Sequence, residues 1–249
     1  MTKKNYKKSI AVALSLASVI STNVHANGVN NIDEIKVPYS TNSNQILKGS
    51  SNMKVFNVGR YSYNNSTGSW LSSGKAYGTT TVTKNMGAPE AHGRLGAHCN
   101  LYNEITGKVV ATKGWDYNTY STHSFNVKTP KVSGKGHYYA RGTTRVYNGN
   151  GYTTVGANQS PNVVIRELGI KIPKAELKER QELYNSKGMI PAVGLDNVEG
   201  YVVETDLYDF DSQPNTPEEA ITYTKARTSR TIPLYSNDGE TVIGKYKIG

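Results

Sequence analysis

The chain has 249 residues, enough for one large domain or two small ones, and only 36% are hydrophobic against 24 Gly, 18 Tyr and 3 Phe. So little aliphatic content excludes a helical bundle around a large apolar core and favours strands joined by short polar turns. The formal charge is +10, and a single cysteine, Cys99, excludes an intramolecular disulfide and any zinc site built from several thiolates.

Lys3, Lys4, Lys7 and Lys8 precede an apolar run from Ile10 to Ile20, and small residues follow at Val24 and Ala26. This three-part plan predicts a secretory signal over 1–26, cleaved after Ala26. The run is shorter than the roughly 20 apolar residues that cross a bilayer, and no later stretch is more apolar, so no transmembrane anchor is expected. Cleavage removes four of the 29 basic residues and none of the 19 acidic ones, leaving a charge of +6. That moderate basicity gives no basis for a nucleic-acid partner. It suits a secreted protein, extracellular or loosely cell-wall associated.

Residues 27–51 are polar and aperiodic and read as a flexible leader. Strands are predicted over Met53–Tyr63 and Lys75–Lys84. In Ala91–Tyr102, the residues Ala91, Leu95, Ala97, Cys99 and Leu101 share an apolar face, while His92, Arg94, His98, Asn100 and Tyr102 share a polar one, expected to point outward. Glu104-Ile105-Thr106-Gly107 turns the chain into Lys108–Trp115. Thr122–Lys128 and Gly136–Tyr147 alternate again, and Asn148-Gly149-Asn150-Gly151 is a tight-turn sequence leading to Tyr152–Val155. Strands so spaced predict an antiparallel sandwich or barrel over 52–165, mainly β, basic, and rich in Tyr and Gly.

Beyond Gln159-Ser160-Pro161-Asn162 the composition changes. Residues 27–165 hold 14 Lys and Arg against 5 Asp and Glu, and residues 166–249 hold 11 against 14. Such a split predicts a border between Ser160 and Pro173 and a small acidic α+β domain over 166–249. Within it, Pro173–Lys187 carries Leu177, Leu183 and Tyr184 at helical spacing and stops at Gly188. Gly200–Phe210 reads as a strand. Thr216-Pro217-Glu218-Glu219 reads as a capped helix start. Arg230–Tyr235 and Thr241–Ile248 form a hairpin around Asn237-Asp238-Gly239.

The string Gly200-Tyr201-Val202-Val203…Asp206-Leu207, with Thr216-Pro217-Glu218-Glu219-Ala220-Ile221, Ile232-Pro233-Leu234-Tyr235 and Asp238-Gly239…Thr241-Val242-Ile243-Gly244, resembles a module of exported, uncharacterised Gram-positive proteins. Some of these carry a label borrowed from BlaR1-type peptidases. The sequence has no His-Glu-x-x-His motif, so the resemblance implies export rather than peptidase chemistry. The stretch from Gly68-Ser69-Trp70 through Trp115 to Tyr139 resembles lactococcin-972-type bacteriocins, small, basic, exported β proteins rich in Tyr, Gly and His. That resemblance implies an antibacterial effector as an alternative function.

Catalytic, metal and cofactor residues are not assigned. His92 and His98, six apart on one strand, would stand about 20 Å apart, too far to share a metal ion, so a site would need His123 or His137 from neighbouring strands. Cys99 beside His98 suggests a thiol nucleophile, yet neighbours on a strand point to opposite faces. A Cys- or metal-dependent hydrolase is therefore a second alternative. The aromatic and basic pattern points instead to binding. His137, Tyr139, Arg141, Thr143, Arg145 and Tyr147 alternate onto one side of a strand, and Arg94, His98 and Tyr102 share the polar side of another. Tyrosine faces stack on sugar rings, and guanidinium forks hold phosphate or carboxylate. The expected ligand-binding residues are Arg94, His98, Tyr102, His137, Tyr139, Arg141, Arg145 and Tyr147, and the expected partner is cell-wall glycan or an anionic polymer.

Overall fold

Alternation of small or apolar residues with polar ones makes most of the chain pleat, and the resulting fold is mainly β. The computed structural model describes residues 48–165, 174–226 and 229–249, all within one compact unit. The expected signal and the leader up to residue 47 lie outside the described residues.

The elements run β1 (Lys48–Ser50), β2 (Lys54–Val58), β3 (Tyr61–Ser72), β4 (Lys75–Lys84), β5 (Leu95–Asn103), β6 (Lys108–Tyr117), β7 (Ser124–Lys128), β8 (Gly136–Tyr147), β9 (Tyr152–Gly156) and β10 (Val163–Ile165). Then come α1 (Lys174–Lys187), β11 (Met189–Val193), β12 (Glu199–Val203), α2 (Glu204–Tyr208), α3 (Pro217–Ala226), β13 (Arg230–Tyr235) and β14 (Val242–Ile248). Among these helices none is long and apolar enough to cross a membrane.

Two sheets face each other. The smaller has the order β1-β3-β4-β7, with β2 also on β3; the larger has the order β10-β8-β5-β6-β11-β12-β13-β14, with β9 also on β8. Tyr63, Val82, Leu95 and Val146 pack together between them, as do Ala97, Cys99, Val127 and Ala140. The interface is small-featured and partly polar: Asn65 Nδ2 donates to Thr144 Oγ1 across it at 2.8 Å. A Cβ on Gly142 would overlap the Thr80 side chain, so β8 can approach β4 this closely only with glycine there.

Four local expectations change. Met53–Tyr63 is a hairpin rather than one strand, because Gly59 at φ +57° turns the chain between Val58 and its partner Tyr61. Residues 48–50, expected in the leader, pair with Gly68–Trp70 on β3. The strand expected from Ala91 starts at Leu95, since Gly93 at φ +77° and the Arg94 N–H donating to Ala91 O make a turn. Gly200–Phe210 leaves the strand at Glu204, where Glu204 and Asp206 open the short helix α2, which ends on Asp209 in the left-handed region.

The larger sheet runs through the charge border at 160–173. β11 lies parallel to β6, with Ala192 beside Val109, and β12, β13 and β14 follow antiparallel. β14 then returns to β6: the Tyr246 hydroxyl lies 2.9 Å from Thr112 Oγ1, and Gly249 N donates to Thr112 O at 3.2 Å. Val109, Ile190, Val202, Ile232, Leu234 and Ile248 fill the space so enclosed. α1 ends at Gly188 as expected, with φ +62°, while the Leu177 side chain lies outside the described residues. α3 starts with the expected capping box: Glu219 N donates to Thr216 Oγ1 at 3.2 Å and Thr216 N to Glu219 Oε2 at 3.3 Å.

This C-terminal cover overturns one expectation about β5. Its polar side was expected outward, yet His98 and Asn100 are fully buried and Tyr102 is 7% exposed. The His98 ring centroid lies 4.6 Å from that of Tyr208 on α2 and 5.6 Å from that of Trp115 on β6. A polar alternation reads as solvent-facing only when no later segment folds over it.

Candidate functional site

Tyr139, Arg141, Arg145 and Tyr147 of β8 do share one side, as their spacing requires, with Tyr138 buried on the other, and register sets the side chains of β5 beside them. Tyr139 pairs with Tyr102, Arg141 with Asn100 and Arg145 with Gly96. The Tyr102 and Tyr139 rings stack at 5.2 Å and 7°, and the Arg141 guanidinium lies over both at 5.7 and 5.4 Å. Burial raises the hydroxyl pKa of both tyrosines, Tyr102 the more strongly. Arg145 lies over Trp115 and Tyr152 at 5.6 and 5.1 Å and donates to the Tyr117 hydroxyl at 2.8 Å. These half-buried cations are spent on the protein's own groups, Arg141 Nε also donating to Gln159 Oε1 at 3.0 Å and Arg145 Nε to Thr154 Oγ1 at 3.2 Å. His137 stands apart, half-buried, with Nδ1 3.6 Å from Glu104.

The row opens to solvent at one end. Leu95 pairs with Val146, and Tyr147 N donates to Arg94 O at 2.9 Å, which sets exposed Arg94 beside half-exposed Tyr147, guanidinium to ring centroid 5.5 Å. Across from them the β2–β3 turn presents Arg60 and Tyr61, the guanidinium donating to the Tyr61 hydroxyl at 2.9 Å. Between the pairs lies a cleft of about 300 Å³, lined by Val58, Arg60, Tyr61, Tyr63, Glu90, Arg94 and Tyr147 and by the turn at Asn148-Gly149. Of the eight residues expected to bind, two, Arg94 and Tyr147, line this cleft. His98, Tyr102, Tyr139, Arg141, Arg145 and His137 do not.

A buried charge pair underlies the cleft. Lys84 Nζ and the Tyr63 hydroxyl each lie 2.7 Å from Glu90 Oε1, and Arg94 stands 3.7 Å from Oε2. The Lys84 and Glu90 side chains are only 5% and 6% exposed. Burial by itself would raise the Glu90 carboxyl pKa. Hydrogen bonds from Lys84 and Tyr63, with the charges of Lys84 and Arg94, more than offset it and hold the carboxyl below its ordinary value. Lys84 also lies 4.0 Å from the Tyr61 ring centroid, so the pair braces the aromatic wall. Glu90 and Lys84 were absent from the sequence-level site. One feature marks them: Glu90 is the only acidic residue between 48 and 103, and a lone carboxylate in a basic stretch is a natural counter-ion.

Among the described residues no three His, Cys, Asp or Glu gather closely enough to hold a metal ion. Cys99 is fully buried on the Ala97 and Ala140 side of β5, and the absence of water pushes its thiol up to about 12. His98 lies on the opposite side against Trp115 and Tyr208. Such a thiol is a packing group. A disulfide reagent is accordingly expected to leave Cys99 unmodified in the native protein and to titrate one thiol in guanidinium chloride; rapid native reaction would show the sulfur accessible.

No family model, curated protein or solved structure matches this chain.

Proposed function

We propose that the protein is a non-enzymatic, exported binding protein that holds an anionic saccharide group of the cell envelope in the cleft between Arg60 and Arg94. The observation carrying this is the paired arrangement of exposed guanidinium groups, each resting on a tyrosine ring, Arg60 on Tyr61 and Arg94 on Tyr147, over a fixed charge pair. A guanidinium braced on a ring is pre-oriented to hold phosphate or carboxylate in a forked geometry, and the phenol faces offer stacking area to a sugar ring. The cleft's one carboxylate, Glu90, is already shared among Lys84, Tyr63 and Arg94. It therefore serves as a positioning charge rather than an acid or base. The secretory pattern of residues 1–26 supports the envelope as the place of action.

Sedimentation with purified Gram-positive cell walls tests this reading. The protein is expected to co-sediment at low salt and to be released as salt rises, because exposed charges are screened. Replacing both Arg60 and Arg94 by serine is expected to weaken binding by about tenfold or more, the worth of one charge-assisted hydrogen bond or better. Binding that ignores salt, or a double variant that binds as tightly as the parent, would sink it.

A further inference from the structure

The smaller sheet is basic to an unusual degree: its five strands, and the whole chain from Lys48 to Lys84, contain no Asp or Glu. Its inner side packs on β5 and β8, while its outer side carries Thr79, Thr81 and Thr83, half-exposed, with exposed Asn126 and Ser124 across from the last two on β7. At one end of that side Trp70 stands opposite Tyr77, their rings 14° from parallel with centroids 6.5 Å apart. The indole lies down along the sheet. Its Nε1 donates to Thr79 Oγ1 at 2.8 Å, and a Cβ on Gly68 would stand only 2.6 Å from that nitrogen. Glycine at 68 therefore leaves the room in which the ring lies flat. Lysines surround the pair: Lys128 Nζ lies 4.0 Å from the Tyr77 ring centroid and Lys131 Nζ 5.8 Å, with exposed Lys75 two residues along the strand.

We propose that this outer side is a second binding surface, separate from the cleft, whose partner is an extended acidic polysaccharide. Each feature has a counterpart in such a chain. The C–H faces of pyranose rings are apolar and pack on flat aromatic area; sugar hydroxyls pair with the threonine row and with Asn126 and Ser124 beside it; carboxylate or phosphate substituents meet the lysine ammoniums. A sheet free of acidic residues imposes no repulsion along the length of a polyanion. A nucleic acid strand would also stack on rings amid cations. The neutral hydroxyl row with Asn126, however, matches a partner dense in hydroxyls, and lysines here replace the arginine forks suited to phosphates.

Native gel electrophoresis of the full chain through polygalacturonate tests the proposal. The protein is expected to be retarded, and Trp70→Ala with Tyr77→Ala to weaken binding by about tenfold, as removal of an aromatic anchor does. Arg60→Ser with Arg94→Ser is expected to stay retarded, because that pair belongs to the cleft. If instead the arginine variant escapes and the aromatic variant does not, the platform is overturned and the cleft stands. Equal competition by oligothymidylate would also overturn it, in favour of a nucleic acid. Tryptophan emission gives a check that needs no aromatic truncation. Trp115 is 1% exposed, so polygalacturonate is expected to shift emission through Trp70 in the intact protein and to leave Trp70→Phe unchanged. No shift in the intact protein would overturn the proposal.

Discussion

Replacing Lys84 by methionine is expected to cost about 3–5 kcal/mol of stability, the penalty for leaving one member of a buried ion pair without its counter-charge. Lys84 and Glu90 are both nearly inaccessible and 2.7 Å apart, and Tyr63 shares the same carboxylate oxygen. Methionine keeps the bulk and removes the ammonium, so the loss is electrostatic. Adding Glu90→Gln to Lys84→Met is expected to recover a large part of it, since the stranded charge then disappears; chemical denaturation of the single and double variants gives the coupling directly. A double variant no better than the single would show that packing, not charge, holds this corner. The pH dependence follows from the lowered Glu90 pKa. Between the folded value and the ordinary carboxyl value the unfolded chain binds the extra proton. The stabilisation is therefore complete above the ordinary carboxyl range and is lost as pH falls through the folded value. Glu90→Gln is expected to flatten the acid limb of the stability curve, and an unchanged limb would count against the pair.

Gly93→Ala is expected to be nearly as severe for a different reason. Gly93 sits at φ +77°, and a Cβ there would overlap the Pro217 carbonyl at the start of α3, with the Pro217 carbonyl carbon only 2.8 Å away. Left-handed backbone costs a non-glycine residue about 1–2 kcal/mol, and forced overpacking adds about 1–3 kcal/mol. The damage should spread to α3, which seats Ala220 against Trp115 and Tyr117 and offers Thr224 Oγ1 to Tyr117 N. Thermal unfolding and hydrogen exchange at the α3 amides measure both effects. A melting temperature within a degree or so of the parent's would mean that the turn yields without cost.

The sequence carried local periodicity well and long-range cover poorly. Lys75–Lys84 and Gly136–Tyr147 are strands with the expected bounds, and the capping box at Thr216 and Glu219 forms, because each depends on neighbours a few residues away. The burial of His98, Asn100 and Tyr102 depends on Tyr208, over a hundred positions later, and no alternation pattern encodes that. The candidate cleft was half legible. Arg94 and Tyr147 showed in the strand pattern, whereas Glu90 and Lys84, six residues apart, come together because the segment leaving β4 folds back on itself, with Glu90 bridged to Thr122. Met53–Tyr63 was misread for a smaller reason: apolar residues continue on both sides of Gly59, which hides a two-residue turn inside one apparent run.

The return of β14 to β6 dictates the order in which this molecule can be assembled. The two central strands of the larger sheet are synthesised early, but the hydroxyl of Thr112 and its carbonyl find their partners, Tyr246 and Gly249, only when the final residues arrive. Closing that loop means a search over well over half the described chain, and non-local closure of this kind slows folding into milliseconds or seconds. Until then the Thr112 hydroxyl, which donates to Asn100 on β5, faces water on the side that Tyr246 later covers.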